Sequence, residues 1–438
     1  MAGTAPTTFE YRGFDIDDAR GILRCHYGLD GRAFTEIISV GPGLAWGPAA
    51  HEAARLTYLL AAVSYYKAAA PPVIDLGDTP VHPGEVDFLR TFYLEGLGEF
   101  AFRNRLDLSG LSVRGGRSVA PPSPPARRRA SNSSGTAERP LIPFGGGLDS
   151  IVTVELLADM DDRALFVLSR PDDRYSAIEA AAEVTGLPVL RAERELDPQI
   201  LRSGELGFLN GHVPITGVLS AIAVLTAALH GRDAVVMSNE WSASSGNLRV
   251  GDRWVNHQWS KSMEFEEGFA GVVAGALGGA VGYFSALRSS TELWIAERFA
   301  RLDRYHPVFR SCNRSFAVDP TRRLTEWCGV CDKCCFVDLV LAPFMSPDQL
   351  GAVFSGREPL REPALAERFR TLVALSPDAK PWECVGDVDE SRAALVLAAD
   401  RPDRATTPLL ARLVAELGTE AAHVRSLVPT LLRPVGAR

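Results

Sequence analysis

The sequence predicts an α/β protein built on a parallel sheet with helices on both faces. Segments typical of strands and of helices alternate between residues 140 and about 345. A strand pattern at Ala164–Ser169 is followed by a helix pattern at Ser176–Thr185 and a strand pattern at 188–192. Strands that alternate with helices in this way form parallel sheets covered on both faces.

Two regions are expected to flank this sheet. Residues 1–108 predict an α+β N-terminal domain, because the strand patterns at 21–29 and 32–40 enclose Asp30-Gly31, a dipeptide typical of tight hairpins. Helix patterns follow at 48–67 and 83–103. Residues 346–438 read as mostly helical.

Residues 109–139 separate the first region from the sheet. They contain a proline-rich run at 121–125, three consecutive arginines at 127–129, and then serine, asparagine and glycine. This composition is typical of a flexible linker. We expect the three arginines to form a solvent-exposed, charged segment.

Composition favours a cytoplasmic enzyme. The chain has 438 residues, 46% of them hydrophobic, a formal net charge of −8 and seven cysteines. That length allows two or three domains, and the negative charge argues against a protein that coats nucleic acid. The N-terminus lacks a basic stretch followed by an apolar one, so we expect no signal peptide. The longest apolar stretches are rich in alanine and glycine, so we expect no membrane partner.

The most informative stretch is a glycine loop between a strand pattern at 141–144 and a helix pattern at 151–157. It consists of Gly145, Gly146, Gly147, Leu148, Asp149 and Ser150. Glycines let the backbone approach an anion, and the N–H groups at a helix start point towards it. Ser150 adds a hydroxyl donor, and Asp149 caps the helix or faces Mg²⁺. The alternative is a glycine turn before an ordinary helix.

This loop differs from the Walker motif, which needs a lysine after its last glycine. It resembles the SGGxDS loop of the PP-loop ATP pyrophosphatase superfamily, with Gly145 in place of the first serine. The resemblance implies an adenine nucleotide α-hydrolase-like fold that binds ATP and cleaves it between the α and β phosphates. The missing hydroxyl leaves more of the phosphate binding to the backbone.

A cysteine cluster is the second strong signal. Cys312 precedes Cys328, Cys331 and Cys334, and this spacing supplies four thiolates to tetrahedral zinc. The alternative is a set of reduced, buried thiols. In the zinc site, Cys335 would be the spare thiol.

Only four of the 46 basic residues are lysines. A lysine in so arginine-rich a chain suggests a need for an ammonium group, and we expect Lys261 near phosphate or carboxylate. Retention of the lysine by chance is the alternative. Asn239 and Glu240 follow a strand pattern at 234–238. They are therefore expected at the same sheet edge as the glycine loop.

Several segments together resemble one family, the UDP-N-acetyl-α-D-muramoyl-L-alanyl-L-glutamate epimerases. They cover most of the chain outside the linker and the tail. These segments are FEYRGFDID, LRCHYGLDG, GGGLDS, SNEWSAS, NHQWSKSMEFE, CGVCDKCCFVDLVLAPF and KPWECVG.

The resemblance implies that UDP-MurNAc-L-Ala-L-Glu is the substrate and that its terminal L-Glu is inverted to D-Glu. ATP and Mg²⁺ would activate the α-carboxylate as an acyl-adenylate and release AMP and diphosphate. Activation removes the carboxylate charge, so the α-proton becomes acidic enough for a side-chain base. Nucleic acid is not an expected partner.

The sequence leaves the base and acid open. Cys384, His257, Lys261 and Glu240 are the principal candidates, and a packed thiol is an equal alternative for Cys384. Two other functions also stay open: a different PP-loop reaction, such as nitrile synthesis, amide ligation or sulfur transfer, and a non-catalytic nucleotide- or zinc-binding role.

Overall fold

The structure, a computed structural model, describes residues 7–121, 137–250, 253–317, 319–376, 383 and 385–434. Its strands within these ranges are β1 (Thr8–Asp17), β2 (Ile22–Leu29), β3 (Arg32–Ser39), β4 (Val73–Asp75), β5 (Pro80–Val81), β6 (Ser112–Arg114), β7 (Arg117–Ser118), β8 (Pro140–Pro143), β9 (Ala164–Ser169), β10 (Val189–Glu195), β11 (Ala234–Met237), β12 (Leu248–Val250), β13 (Arg253–Val255) and β14 (Gly282–Ser285).

The α-helices of the same ranges surround these strands. They are α1 (Pro48–Ala61), α2 (Val63–Tyr66), α3 (Glu85–Gly96), α4 (Gly98–Asn104), α5 (Leu148–Leu156), α6 (Ser176–Thr185), α7 (Pro198–Leu201), α8 (Ile215–Leu229), α9 (Met263–Leu277), α10 (Glu292–Phe299), α11 (Asp332–Leu341), α12 (Pro347–Val353), α13 (Ala366–Leu372), α14 (Val388–Ala399), α15 (Pro408–Leu417) and α16 (Glu420–Leu431).

Ten strands form one mixed, mostly parallel sheet in the order β14-β11-β8-β9-β10-β3-β2-β1-β4-β6. The five strands from β14 to β10 are parallel to one another. The predicted α/β class and the helical C-terminal region are therefore confirmed. The finer assignment to the PP-loop fold stays a prediction.

The two faces of the parallel strands bury different cores, because side chains alternate along a strand. Leu141 and Phe166 face one core, which α1, α8 and α9 cover. Ile142, Leu165 and Val167 face the other, which α5, α6, α10 and the C-terminal helices cover. The sheet is thus sandwiched between two helical layers, as the sequence predicts.

The predicted hairpin near the N-terminus is confirmed. Asp30 and Gly31 have φ angles of 50° and 74°, and two consecutive positive φ values are the geometry of the tight turn that suits twisted strands. β2 and β3 pair from Ile22↔Ser39 to Leu29↔Arg32. These strands extend the parallel sheet, because β3 pairs antiparallel with β10.

The segment predicted as a linker includes β6 and β7, and β6 pairs parallel with β4. Most of its proline- and arginine-rich run, at 122–136, lies outside the described residues. The boundaries proposed at residues 108, 139 and 345 stay predictions. Among the helices that the structure describes, none is long and apolar enough to cross a membrane.

Candidate functional site

The chain order of the parallel strands creates a crevice at one edge of the sheet. From β8 the chain moves outward through β9 and β10, then returns to add β11 and β14 on the other side of β8. The connections after β8 and β11 therefore run in opposite directions. Such a topological switch point is where open α/β sheets bind ligands.

A cavity of about 330 Å³ lies at this point. The glycine loop after β8 contributes Gly145, Gly147, Asp149 and Ser150 to its wall, and Asn239 comes from the segment after β11. The predicted meeting of these two segments at one sheet edge is confirmed.

The glycine loop is shaped by close backbone contacts. Gly146 has a φ of 74°, and a Cβ placed there would lie 2.8 Å from the carbonyl oxygen of Ala177. The Gly146 carbonyl accepts a hydrogen bond from the Arg310 N–H at 3.0 Å. A Cβ on Gly145 would meet nothing within 4 Å, so the position at which the resembled loop carries serine opens into free space.

Helix α5 starts immediately after this loop, with Gly147 as its N-cap. The Ser150 hydroxyl donates to the Gly147 carbonyl at 3.1 Å. The first N–H groups of a helix lack intrahelical partners and carry a partial positive charge. The loop and the helix start together form an arrangement suited to an anion.

Basic side chains face the same cavity. Lys261, Lys333 and Arg310 contribute to its wall. Lys261 also donates from Nζ to Gln258 Oε1 at 3.2 Å. The structure thus brings the lysine selected from composition to the glycine loop and adds a second lysine from the cysteine-rich segment.

Carboxylates gather beside these cations. Burial, and after it the charge of Glu240, raises the pKa of Asp149 to about 6, against the opposing charges of Lys333 and Lys261. Burial followed by the charges of Asp149 and Glu240 raises the pKa of Glu292 well above its ordinary value. Glu240 itself is buried. The site therefore mixes buried acids with lysines, a combination found at catalytic centres.

Several polar atoms of the cavity are buried without a hydrogen-bond partner among the described residues. They are Asp149 Oδ1, Ser238 Oγ and Asn239 Nδ2. A buried polar atom left unpaired costs about 1–3 kcal/mol, so three at one place indicate a site that a ligand completes. A carboxylate oxygen and a neighbouring buried carboxylate, Glu240, also fit the oxygen ligands that Mg²⁺ prefers.

The four predicted metal-ligating cysteines come together. The sulfur atoms of Cys312, Cys328, Cys331 and Cys334 all lie within 4.8 Å of one another. Two of the separations are 3.6 Å, from Cys328 to Cys334, and 3.4 Å, from Cys331 to Cys334. Sulfurs around tetrahedral zinc are about 3.8 Å apart for Zn–S bonds of about 2.3 Å. The residues fit zinc, which stays a prediction.

This cluster is coupled to the cavity by the chain. Cys312 follows Arg310 and Ser311, and Lys333 lies between Cys331 and Cys334. Arg310, Ser311 and Lys333 all line the cavity. The four cysteines therefore hold together two segments, and both segments supply polar side chains to the cavity beside the glycine loop.

His257 lies in a second polar cluster. Its Nδ1 is hydrogen-bonded to Glu99 Oε2. The His212 ring packs against it, with 4.3 Å between ring centroids and 41° between planes. Cys384 lies outside the described residues. Its neighbour Gly386 approaches Glu292 and Glu390, since a Cβ there would lie 2.9 Å from Glu292 Cγ and from Glu390 Oε2.

Sequence reasoning did not select Glu99, Glu292 or Glu390. Glu99 belongs to a short helix with no chemical motif, and Glu292 simply starts α10. Glu390 belongs to a capping box with Asp387, a pattern that locates a helix start but says nothing of a site. Only the fold shows that these carboxylates adjoin the candidate residues.

A doubly wound sheet with a glycine loop, lysines and unpaired polar atoms at its switch point defines the class of α/β proteins that bind ligands at that edge. Residues 2–286 match the family model described as MurL N-terminal domain, and residues 308–427 match the MurL C-terminal domain. The chain belongs to the MurL family.

Curated relatives carry one name, UDP-N-acetyl-alpha-D-muramoyl-L-alanyl-L-glutamate epimerase. The relative from Xanthomonas oryzae pv. oryzae is 38% identical over 94% of this chain and 90% of its own length. Those from Salinispora tropica and a Micromonospora species are each 37% identical over 93% of this chain, and over 88% and 90% of their own lengths. No solved structure matches significantly.

Proposed function

We propose that this protein inverts the terminal L-Glu of UDP-MurNAc-L-Ala-L-Glu to D-Glu at the expense of ATP, in the cytoplasmic synthesis of peptidoglycan precursors. The epimerase name of its relatives supports the reaction. The observation that supports ATP is the glycine loop at the switch point, where α5 starts and Lys261, Lys333 and Arg310 share one cavity.

The proposed chemistry starts with activation. An oxygen of the substrate α-carboxylate attacks the α-phosphorus of ATP, and diphosphate leaves. The loop N–H groups and the two lysines stabilise the negative charge that develops on the phosphates. Asp149 and Glu240 would hold Mg²⁺, which neutralises phosphate charge when bound.

Activation makes inversion possible. In the acyl-adenylate the carboxylate charge is gone, so removal of the α-proton produces an enolate rather than a dianion. Return of a proton to the other face gives the D configuration. Water then cleaves the acyl–phosphate bond and releases AMP and the D-Glu product.

The cysteine cluster has a structural role in this proposal. Zinc held by the four thiolates would fix the segments that carry Lys333, Arg310 and Ser311 against the glycine loop. Structural zinc with four cysteine ligands has no open coordination position, so no step of the reaction passes through it.

The test supplies purified protein with UDP-MurNAc-L-Ala-L-Glu, ATP and Mg²⁺. Diphosphate, AMP and the chirality of glutamate after acid hydrolysis are followed together. D-Glu that forms only with ATP, together with AMP, supports the proposal. AMP without D-Glu points to a different PP-loop reaction, and the absence of both products from folded protein refutes it.

A pair of variants links the activity to the loop. Asp149→Asn removes a carboxylate from the cavity and is expected to reduce diphosphate release by about 10²-fold or more. Asp159→Asn makes the same chemical change ten residues further on, at an exposed position, and is expected to behave as the unmodified protein. Equal activities of the two variants would argue against a nucleotide site at the loop.

A further inference from the structure

We propose that His257 is the base that removes the α-proton of the substrate glutamate and that Glu99 positions it. This inference rests on the proposed function. It selects one of the four candidate residues and adds a carboxylate from α4 that no sequence motif indicates.

The contacts of Glu99 orient the ring of His257. Its side chain is 5% exposed, and its Oε1 accepts from Arg103 Nε at 2.5 Å while its Oε2 is bonded to His257 Nδ1. Burial alone would raise the pKa of Glu99, but the bond to His257 and the neighbouring His212 and Arg103 hold that pKa below its ordinary value. The carboxylate is therefore ionised at neutral pH.

His257 is fixed from two sides. Its backbone N–H donates to Asn247 Oδ1 at 2.8 Å. Glu99 favours the tautomer with the proton on Nδ1, which leaves the lone pair on Nε2. The side chain remains 13% exposed. An oriented, partly accessible imidazole with an ionised partner is the arrangement of a general base.

His212 completes the cluster as a neutral neighbour. Burial, followed by the charge of His257, lowers the pKa of His212 to about 4. At neutral pH its ring therefore packs against His257 without a charge of its own. We assign it a packing role rather than a catalytic one.

The cluster adjoins the candidate nucleotide cavity. His257 precedes Lys261 by four residues and His212 precedes Thr216 by four, and both Lys261 and Thr216 line the cavity. The charge of Lys261 also acts on His212, so the cluster and the cavity wall are near each other. In this proposal a glutamate whose carboxylate is bound at the loop directs its α-carbon towards His257.

The proton step balances without another cofactor. The α-proton moves to Nε2 of His257, and the electron pair of the C–H bond moves into the activated carbonyl to form the enolate. Glu99 stabilises the resulting imidazolium. Water protonates the opposite face of the enolate, and the proton on His257 returns to the hydroxide formed. Each turnover thus places one solvent hydrogen on the α-carbon.

A divalent metal is the competing occupant, because Glu99, His212 and His257 present ligand atoms within 4.8 Å of one another. The surrounding charges disfavour it. Lys261 and Lys67 act on His212, and Arg103 pairs with Glu99. Cations at these positions repel a metal ion but suit an anionic substrate.

The experiment separates activation from proton transfer. Substrate-dependent exchange of labelled diphosphate into ATP reports adenylation, and deuterium incorporation at the glutamate α-carbon in D₂O reports deprotonation. We expect His257→Gln to retain diphosphate exchange and to lose deuterium incorporation by about 10²–10⁴-fold. Thermal unfolding confirms that the variant folds.

Glu99→Gln tests positioning. Deuterium incorporation should fall, and Glu99→Asp should restore part of it. Glu99→Gln removes a negative charge beside His257 that stabilises its protonated form, so the acidic limb of the rate profile for deuterium incorporation should move to lower pH. Glu95→Gln makes the same change near the end of α3, where Glu95 pairs with Arg253, and should leave the profile unchanged.

Other results overturn the inference. Deuterium incorporation retained by His257→Gln would show that another residue is the base. Loss of both partial reactions in that variant would place His257 in activation instead. An equivalent of Mn²⁺ or Zn²⁺ that the parent protein binds in addition to any zinc at the four cysteines, and that both variants lose, would show a metal site at Glu99, His212 and His257. A parent protein that carries out neither partial reaction would refute the proposed function itself.

Discussion

Arg194 on β10 and Glu36 on β3 form a two-point ion pair inside the protein, with Nε–Oε1 and Nη2–Oε2 distances of 2.8 and 3.0 Å. Arg194 Nη2 also donates to Ser64 Oγ at 2.8 Å. β10 is the outermost strand of the parallel set, and β3 begins the N-terminal strands. The pair therefore links the two halves of the ten-stranded sheet at their junction.

Glu36→Ala should lower the free energy of unfolding by about 3–5 kcal/mol, because it leaves the Arg194 guanidinium buried without its partner. Urea unfolding measures the change. Glu205→Ala removes an exposed pair with Arg202 and should cost no more than about 1 kcal/mol. Equal effects of the two substitutions would show that the junction does not depend on this pair.

The junction also marks where sequence reasoning stops. β9, α6 and the Asp30-Gly31 hairpin follow from local patterns, because periodicity and turn chemistry act over a few residues. The pairing of Glu193 with Ser39 joins strands more than 150 residues apart. No local pattern encodes that pairing, so the sequence predicts the hairpin of β2 and β3 but not the strand beside which it lies.

The site divides in the same way. The glycine loop, Lys261 and the four cysteines can be predicted as site residues from the sequence, because each lies in a short, chemically distinctive segment. Glu99 and Glu390 cannot, since an isolated glutamate in a helix pattern is typical of a solvated residue. Their place follows from packing: α4 meets the loop that carries His257, and the start of α14 meets the start of α10.

Glu390 should make stability depend on pH. Burial raises its pKa from 4.5 to about 7, although its carboxylate accepts N–H groups from Glu292 and Asp387 at 2.8 and 2.9 Å. Between these pH values the folded chain binds more protons than the unfolded chain. The contribution of Glu390 to the free energy of unfolding is therefore largest below pH 4.5. About 3 kcal/mol of it is lost as the pH rises through 7.

Glu390→Gln should reduce that loss. Urea unfolding at several pH values between 4.5 and 8 measures the slope of the free energy of unfolding against pH. The raised pKa values of Asp149 and Glu292 contribute to this slope in the same direction. Glu367→Gln, at a site 76% exposed, should leave the slope as in the parent protein. An unchanged slope in Glu390→Gln would contradict the assignment.

If the four cysteines hold zinc, adenylation of the substrate should depend on that zinc. Cys334→Ser should weaken zinc binding by more than about 100-fold, since it removes a ligand outright. Diphosphate exchange should fall with it, because Lys333 and Arg310 lie on the joined segments. Elemental analysis and exchange assays measure both effects. Cys335→Ala changes the adjacent buried thiol and should retain zinc; loss of zinc there, or its retention in Cys334→Ser, would refute the ligand set.

The glycine loop supplies a test of geometry. Gly146→Ala forces a side chain into a positive φ, at about 1–2 kcal/mol, and places its Cβ 2.8 Å from the Ala177 carbonyl oxygen. Gly186→Ala has a similar φ of 67° with nothing within 4 Å, so it measures the backbone strain alone. Gly146→Ala should therefore be less stable than Gly186→Ala and should raise the KM for ATP.

Gly145→Ser tests the departure of the loop from the pattern that it resembles. A Cβ at Gly145 meets nothing within 4 Å, so the melting temperature should be unchanged. Gly145 lines the cavity in which phosphate is proposed to bind, so a serine hydroxyl adds one donor there and should leave the KM for ATP equal or lower. A raised KM with normal stability would mean that the ligand approaches this backbone too closely for any side chain, and that glycine is required by contact with the nucleotide.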